Sequence, residues 1–230
     1  MSMPMIAAQT LQRQILVGAY AAGEMLPGQR DLAESLGISR GSLREAISML
    51  EALGFVRSIP GKGTFVEGRH DPAGGGSASV IGLPQGSQQG LSGAIMQFRF
   101  LIEPAAASLA ARLCDRHAAP RLWGIQARFE EALRGLDLVT ASQADLEFHQ
   151  LIAELTGNEH LCQIARDFED RITDSVRRPF SNRARVGEPA AEHRAITAAI
   201  CDRDPAAAHL AMQTHLLNAA ARIGIRFVQP

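Results

Sequence analysis

The sequence predicts a mainly α-helical protein in two parts: an N-terminal winged helix-turn-helix with a small β wing, and a C-terminal all-α antiparallel helical bundle. Three observations carry that expectation. Residues 26–66 read as helix, glycine turn, helix and two short strands. Residues 68–93, "GRHDPAGGGSASVIGLPQGSQQGLSG", hold no sustained period, and three consecutive glycines cost too much entropy inside a helix. Beyond residue 94 only helical periods occur. The expected organisation is a winged domain over 1–68, a Gly/Ser-rich linker over 69–93, and an all-helical domain over 94–230.

The elements follow in order. Residues 5–20 read as a helix with Ile6, Leu11, Ile15 and Leu16 as its apolar stripe. "LPGQRDLAESLG" opens with proline and closes with glycine, the usual asymmetry of a short helix. Gly37 supplies the turn. In "ISRGSLREAISMLEALG", Leu43, Ala46, Ile47, Leu50 and Leu53 fall on one helical face, with Ser39 as N-cap and Gly54 as the stop. "FVRSIPGKGTFVE" then reads as two strands around a turn. After the linker, helices are expected near 94–116, 119–136, 142–156, 159–179, 189–202 and 205–225. Breaks fall at Pro120, Gly157-Asn158, Pro179, Pro189 and Pro205, and short connections imply antiparallel neighbours.

Bulk properties exclude several classes. The 230 residues are 46% hydrophobic and 20% charged, the balance of a soluble globular protein. No apolar run is long enough to span a bilayer, and no signal peptide is visible, so a cytoplasmic protein without membrane contact is expected. Cys114, Cys162 and Cys201 stand far apart and read as reduced thiols. Net charge is −1, and residues 1–70 carry seven basic against six acidic side chains. Any nucleic-acid site must therefore come from local placement of charge. Lys62 is the only lysine.

Placement of that kind exists. The second helix of a helix-turn-helix enters the DNA major groove with its N-terminal residues facing base edges. Here those residues are Ser39, Arg40, Gly41, Ser42 and Arg44. Arginine reads guanine bidentately, while serine hydroxyls and backbone N–H groups hold phosphates. Lys62, at the wing tip, is placed to reach a phosphate or the minor groove. A second feature is "DLEFHQLIA", residues 145–153. Asp145 and His149 lie one helical turn apart on a face shared with Ile152. The pair alone could be a metal half-site, an acid/base pair or a buried hydrogen bond.

"LPGQRDLAESLGISRGSLREAISMLEALGFVRSIPGKGTFV", Leu26 to Val66, resembles the DNA-binding domain of the GntR family of bacterial transcription regulators, without a gap. The resemblance implies DNA contact by Arg30, Ser39, Arg40, Ser42, Arg44, Gly61 and Lys62, on a two-fold operator engaged by a homodimer. The helical part is similar to the FCD-type effector domain of the FadR subfamily, through "FRFLIEPAAASLAA" (98–111), "DLEFHQLIAELTGNEHL" (145–161), "EHRAITAAICDRDPAAA" (192–208) and "MQTHL" (212–216). That likeness implies a divalent metal ion, zinc first with nickel or manganese also compatible, held by Asp145, His149, His193 and His215. Helical periodicity agrees: His193 shares a face with Ile196, Thr197 and Ile200, and His215 with Ala208, Ala211, Met212 and Ala219. One histidine on an apolar face is usually a core residue; three with an aspartate form a familiar shell for a borderline divalent ion. His70, His117, His160 and His209 are expected to be mostly solvated.

Arg99 offers a fixed cation for a carboxylate, or else a salt bridge to Glu103 one turn on. Asn218, one turn past His215, is a weaker candidate. Metal and arginine together suit a small organic acid, the effector type that the resemblance implies. The expected function is a ligand-responsive DNA-binding regulator, a repressor in most of this group. One alternative is a regulator whose metal is purely structural and which senses nothing, or senses a fatty acyl ligand; the other is a metal-dependent enzyme of small carboxylic acids with a vestigial DNA-binding domain. Against it, the chain has no His-Glu-x-x-His helix, nucleophile elbow, dinucleotide glycine fingerprint or phosphate loop.

Overall fold

The structure is a computed structural model, and it describes residues 2–67, 85–167 and 187–227. The expected linker up to residue 84, the continuation of a helix over 168–179, the break at Pro179 and His70 lie outside the described residues. The chain forms two compact units. One comprises residues 1–77 with Leu136–Thr140; the other comprises the remainder.

In the first unit, α1 (Met3–Leu16) is followed by α2 (Gln29–Ser35), α3 (Arg40–Ala52), β1 (Val56–Ile59) and β2 (Gly63–Val66). The α3 stripe is the core: Leu43, Ala46, Ile47, Leu50 and Leu53 are all buried. Ser39 caps α3 as expected, its Oγ accepting the Ser42 N–H at 3.0 Å. Gly37 and Gly54 have φ of 65° and 73°, which glycine adopts without strain. The strands pair antiparallel, Val56 opposite Val66 and Ile59 opposite Gly63. Leu26 N–H donates to Thr64 carbonyl at 2.8 Å and Gly23 N–H to Val66 carbonyl at 2.8 Å, which ties the chain before α2 to the hairpin edge.

The first helix departs from expectation. It ends at Leu16, with Gly18 at φ 80° just beyond, and it buries Ala7, Ala8, Leu11 and Gln12 while Ile6 and Leu16 are exposed. The small side chains allow close approach to α3, which the bulkier Ile6 would prevent. Buried Gln12 is satisfied within the same unit: its Nε2 donates to Leu136 carbonyl at 3.0 Å and its Oε1 accepts from Val139 N–H at 3.1 Å.

The second unit is helical: α4 (Gln85–Leu113), α5 (Ala118–Arg134), α6 (Leu138–Leu155), α7 (Glu159–Asp167), α8 (Glu188–Cys201) and α9 (Pro205–Arg222). The start of α6 belongs by packing to the first unit. α4 begins nine residues earlier than the expected 94, inside the glycine-rich stretch, and α6 four residues earlier than 142. Extending an existing helix costs far less than nucleating one, so a strong Ala-rich helix runs back through weaker sequence. α9 is capped by Asp204, whose carboxylate accepts from the Ala206 and Ala207 N–H groups. The core gathers Met96, Ala107, Phe148, Ile196, Met212 and Leu216 from α4, α6, α8 and α9. The candidate ligands project into this apolar interior. The three cysteines are free thiols, and no helix of the described residues is long and apolar enough to cross a membrane.

Candidate metal centre and nucleic-acid interface

The residues expected to contact DNA lie near the N-termini of α2 and α3 and on the wing. α3 begins at Arg40, so Arg40 and Arg44 project from its first turns. Arg30, Ser39, Arg40, Arg44, Gly61 and Lys62 are exposed, and Ser42 is half-buried with its Oγ 3.0 Å from that of Ser39. None of the four cations forms an ion pair with another described residue. Gly61, at φ 72°, makes the wing turn that carries Lys62. An exposed, uncommitted cation keeps its full charge for a phosphate or a base edge.

In the second unit the structure brings all four predicted ligands together. α6 supplies Asp145 and His149, α8 supplies His193 and α9 supplies His215, and all four are buried. One ligand atom from each lies within 4.8 Å of the others. Asp145 Oδ1 is 2.9 Å from His193 Nε2 and 3.9 Å from His149 Nε2. By hydrogen-bond geometry His193 Nε2 has no partner, although it is buried and Asp145 Oδ1 lies close. Two potential ligand atoms about 3 Å apart fit neighbouring positions around one ion at about 2.0–2.2 Å. A buried, orphaned imidazole nitrogen beside a carboxylate is the observation that makes the residues fit a metal.

Each ring is held differently. His193 is sandwiched between Phe129 and Phe148, with ring centroids at 4.8 and 4.2 Å. His215 Nδ1 meets Glu192 Oε2 at 2.9 Å. His149 Nδ1 lies 2.8 Å from Glu103 Oε2, close but poorly directed for a hydrogen bond. On its other side, His149 Nε2 lies 3.1 Å from Arg99 Nη2.

Burial sets the protonation states. It pushes His215 down to about 3, against the raising pull of Glu192, and it also lowers His193. Both are neutral imidazoles near pH 7, the form that ligates metal. Burial pushes Asp145 up, but His193 and His149 outweigh it and hold the carboxyl at about 2. Glu192 is likewise pushed up by burial and brought down to about 2 by His215 and Arg222. Glu103 lies well below the usual carboxylate range, with Arg99 and His149 overcoming desolvation. His193 and His215 are therefore neutral nitrogens beside an ionised aspartate.

Beside it is a small cavity of about 40 Å³, lined by Arg99, Glu103, His149, Phe98, Ile102 and Met212 among others. Arg99 is 2% exposed. Arg99 forms the salt bridge to Glu103 that its spacing allowed, Nε donating to Oε1 at 2.6 Å, and it also lines the cavity. Asn218, expected at the effector, instead donates its amide to Glu192 Oε1 at 2.8 Å and is absent from the residues lining that cavity. Its helix face turns it toward α8. His117 and His160 are exposed and His209 half-buried.

Sequence reasoning missed Glu192 and Arg222. Arg222 is buried, and its Nη1 and Nη2 donate to the two oxygens of Glu192 at 2.8 and 2.9 Å. A signal was available on one side, since His215, Asn218 and Arg222 share a face of α9 at i, i+3 and i+7.

Comparison with known proteins agrees with both units. The profile described as "Bacterial regulatory proteins, gntR family" matches residues 6–66. The FCD domain profile matches residues 94–218. A protein of Escherichia coli K12 named for regulation of the L-lactate dehydrogenase operon is 36% identical over 203 residues, 85% of this chain and 76% of that protein. The Exu regulon transcriptional regulator of the same organism is 31% identical over 221 residues, 92% of this chain and 80% of that one. Among solved structures, E. coli McbR/YncC has a TM-score of 0.54 at 17% identity, covering 97% of this chain and 98% of its own, a likeness of fold.

Proposed function

The chain belongs to the gntR family of bacterial regulatory proteins and carries an FCD domain, and from that premise we propose that it is a repressor whose bundle binds a divalent metal and a small organic acid. It is a transcriptional regulator, not an enzyme, as its relatives' names agree. The observation that carries the metal reading is the buried Asp145, His149, His193 and His215 set, with ligand atoms within 4.8 Å. Three nitrogens and one carboxylate oxygen favour zinc, with nickel or manganese compatible.

A bound divalent ion supplies a local positive centre for a carboxylate. The chain's own residues do the rest. Arg99 is the second cation, held at the cavity by Glu103. Its Nη2 touches His149 Nε2, the nitrogen that would face the ion. One lone pair cannot serve both, so ligation of His149 and this hydrogen bond exclude each other. The apolar walls Phe98, Ile102 and Met212 exclude water around the pair. The relative named for the L-lactate dehydrogenase operon supports an acid effector.

Arg30, Ser39, Arg40, Ser42, Arg44, Gly61 and Lys62 contact the operator. Affinity requires two copies on two half-sites. The outward face of α4, with Leu101 55% exposed beside Ala94 and Ala105, supports dimerisation through that helix. The acid shifts the balance between operator-competent and incompetent arrangements. The test is operator affinity against a panel of small 2-hydroxy and sugar acids, with zinc and with chelator. One acid should change operator affinity with zinc and lose that effect in chelator. If no acid changes it in either condition, the effector reading fails.

A further inference from the structure

We propose that Glu192 is a positioning residue that fixes the tautomer of His215 and aims its Nε2 at the metal cluster. This inference rests on the metal reading above and assigns a role to three residues, Glu192, Asn218 and Arg222, outside the ligand set. His215 Nδ1 meets Glu192 Oε2 at 2.9 Å in a directed hydrogen bond. Both oxygens of Glu192 accept from Arg222, which can only donate, so the carboxylate faces His215 as an acceptor and Nδ1 carries the proton. The other ring nitrogen, Nε2, is then the free lone pair. An imidazole bonded to a carboxylate in this way is also a more basic ligand.

Glu192 does not choose its own position. Arg222 grips both its oxygens at 2.8 and 2.9 Å, and Asn218 Nδ2 donates to Oε1 at 2.8 Å. Oε1 therefore accepts from Arg222 and Asn218, while Oε2 accepts from Arg222 and His215. All three donors come from one face of α9, and Glu192 stands immediately before the ligand His193 on α8. The clamp thus joins the helices that carry two of the four ligands and settles which nitrogen one of them presents. The three rings differ in this respect. His193 is held by two phenyl faces, and the contact of His149 with Glu103 is close but misdirected. Only at His215 is a carboxylate both aligned with Nδ1 and itself gripped from two sides, among the described residues.

The test uses the full chain, Glu192→Gln and Asn218→Leu, with zinc as the probe. Nitrogen-15 histidine spectra of chelator-treated protein, with His215 identified by His215→Gln, should show a single Nδ1–H tautomer in the wild type. Glu192→Gln should give a tautomer mixture at His215 and bind zinc about 10–100-fold more weakly in chelator competition. Asn218→Leu, which loosens Glu192 without touching Arg222 or the ring, should move both readouts in the same direction by a smaller factor. It decides the question if Glu192→Gln fails to fold. A purely structural role for Glu192 would lower thermal stability and leave the tautomer unchanged. The proposal is overturned if His215 keeps a single Nδ1–H tautomer in the folded variants, or if their zinc affinity matches that of the wild type. A wild type that takes up no zinc would instead overturn the metal reading, and the tautomer spectra would still decide the role of Glu192.

Discussion

The two units use the same kinds of side chain in opposite ways. On α3 and the wing, Arg40, Arg44 and Lys62 stand in solvent with no ion-pair partner among the described residues. In the bundle, Arg99 and Arg222 are buried and each is committed to a glutamate. A free surface cation costs nothing to keep charged and is available to a polyanion. A buried cation must be paired, and truncating its partner is strongly destabilising. The charge balance of the whole chain therefore says little about either site; commitment and burial say more.

The sharpest way to separate the units is acid. In unfolded chain, histidine titrates near about 6.5. In the bundle, burial takes His215 down to about 3 and also lowers His193. The unfolded state then binds more protons than the folded one throughout this interval. Stability is fully present above about pH 6.5 and falls progressively as pH drops toward 3. Asp145 and Glu192, held at about 2, add a further loss below the ordinary carboxylate range. The described part of the first unit contains no histidine. Denaturation followed at Trp123, on α5, should show this acid sensitivity, and His193→Phe with His215→Phe should reduce it.

Metal should act on the same unit. An ion bound only by folded protein stabilises by about 4 kcal/mol at a thousandfold excess over Kd. Zinc should raise the melting temperature of the bundle signal, and EDTA should reverse it. If the shift persisted undiminished in the His149→Ala, His193→Ala double variant, the assignment of metal to the bundle would be wrong.

The remaining effects belong to the DNA-reading face and are smaller. Arg40→Ala or Arg44→Ala should cost about 1–3 kcal/mol on the specific operator if the residue reads a base. Fluorescence anisotropy on specific and scrambled duplexes distinguishes that from a uniform loss. Lys62→Ala should weaken binding on both duplexes alike and reduce the slope of log affinity against log salt by about 1. Wild-type behaviour in all three variants would contradict the placement of α3 and the wing.

The two sites were unequally legible in the sequence. The winged unit was readable because its determinants are local: a stripe at helical spacing, a cap at Ser39, glycines at Gly37 and Gly54, and alternation around a turn. The four residues gathered in the bundle were named chiefly by the resemblance to the FCD domain, with Asp145 and His149 one turn apart and His193 and His215 on apolar faces in agreement. The orientation of α1 was not, since its buried side is set by tight approach to α3 and by Gln12 reaching Leu136 and Val139, contacts distant in sequence. The beginning of α4 at Gln85 was hidden because composition reports nucleation better than propagation. Glu192 was hidden for a third reason. It lies 23 residues from His215 and 30 from Arg222, and only the packing of α8 on α9 makes them neighbours.

The central claim is that the four buried side chains of the bundle form one metal site. Elemental analysis of full-length protein, prepared without chelator and incubated in turn with zinc, nickel and manganese, tests it most directly. The account predicts one divalent ion per chain for the wild type and none for the His149→Ala, His193→Ala double variant, with operator binding by the N-terminal unit retained in both. A wild type that holds no ion after all three incubations would contradict it, and the three histidines would then be ordinary residues of the core.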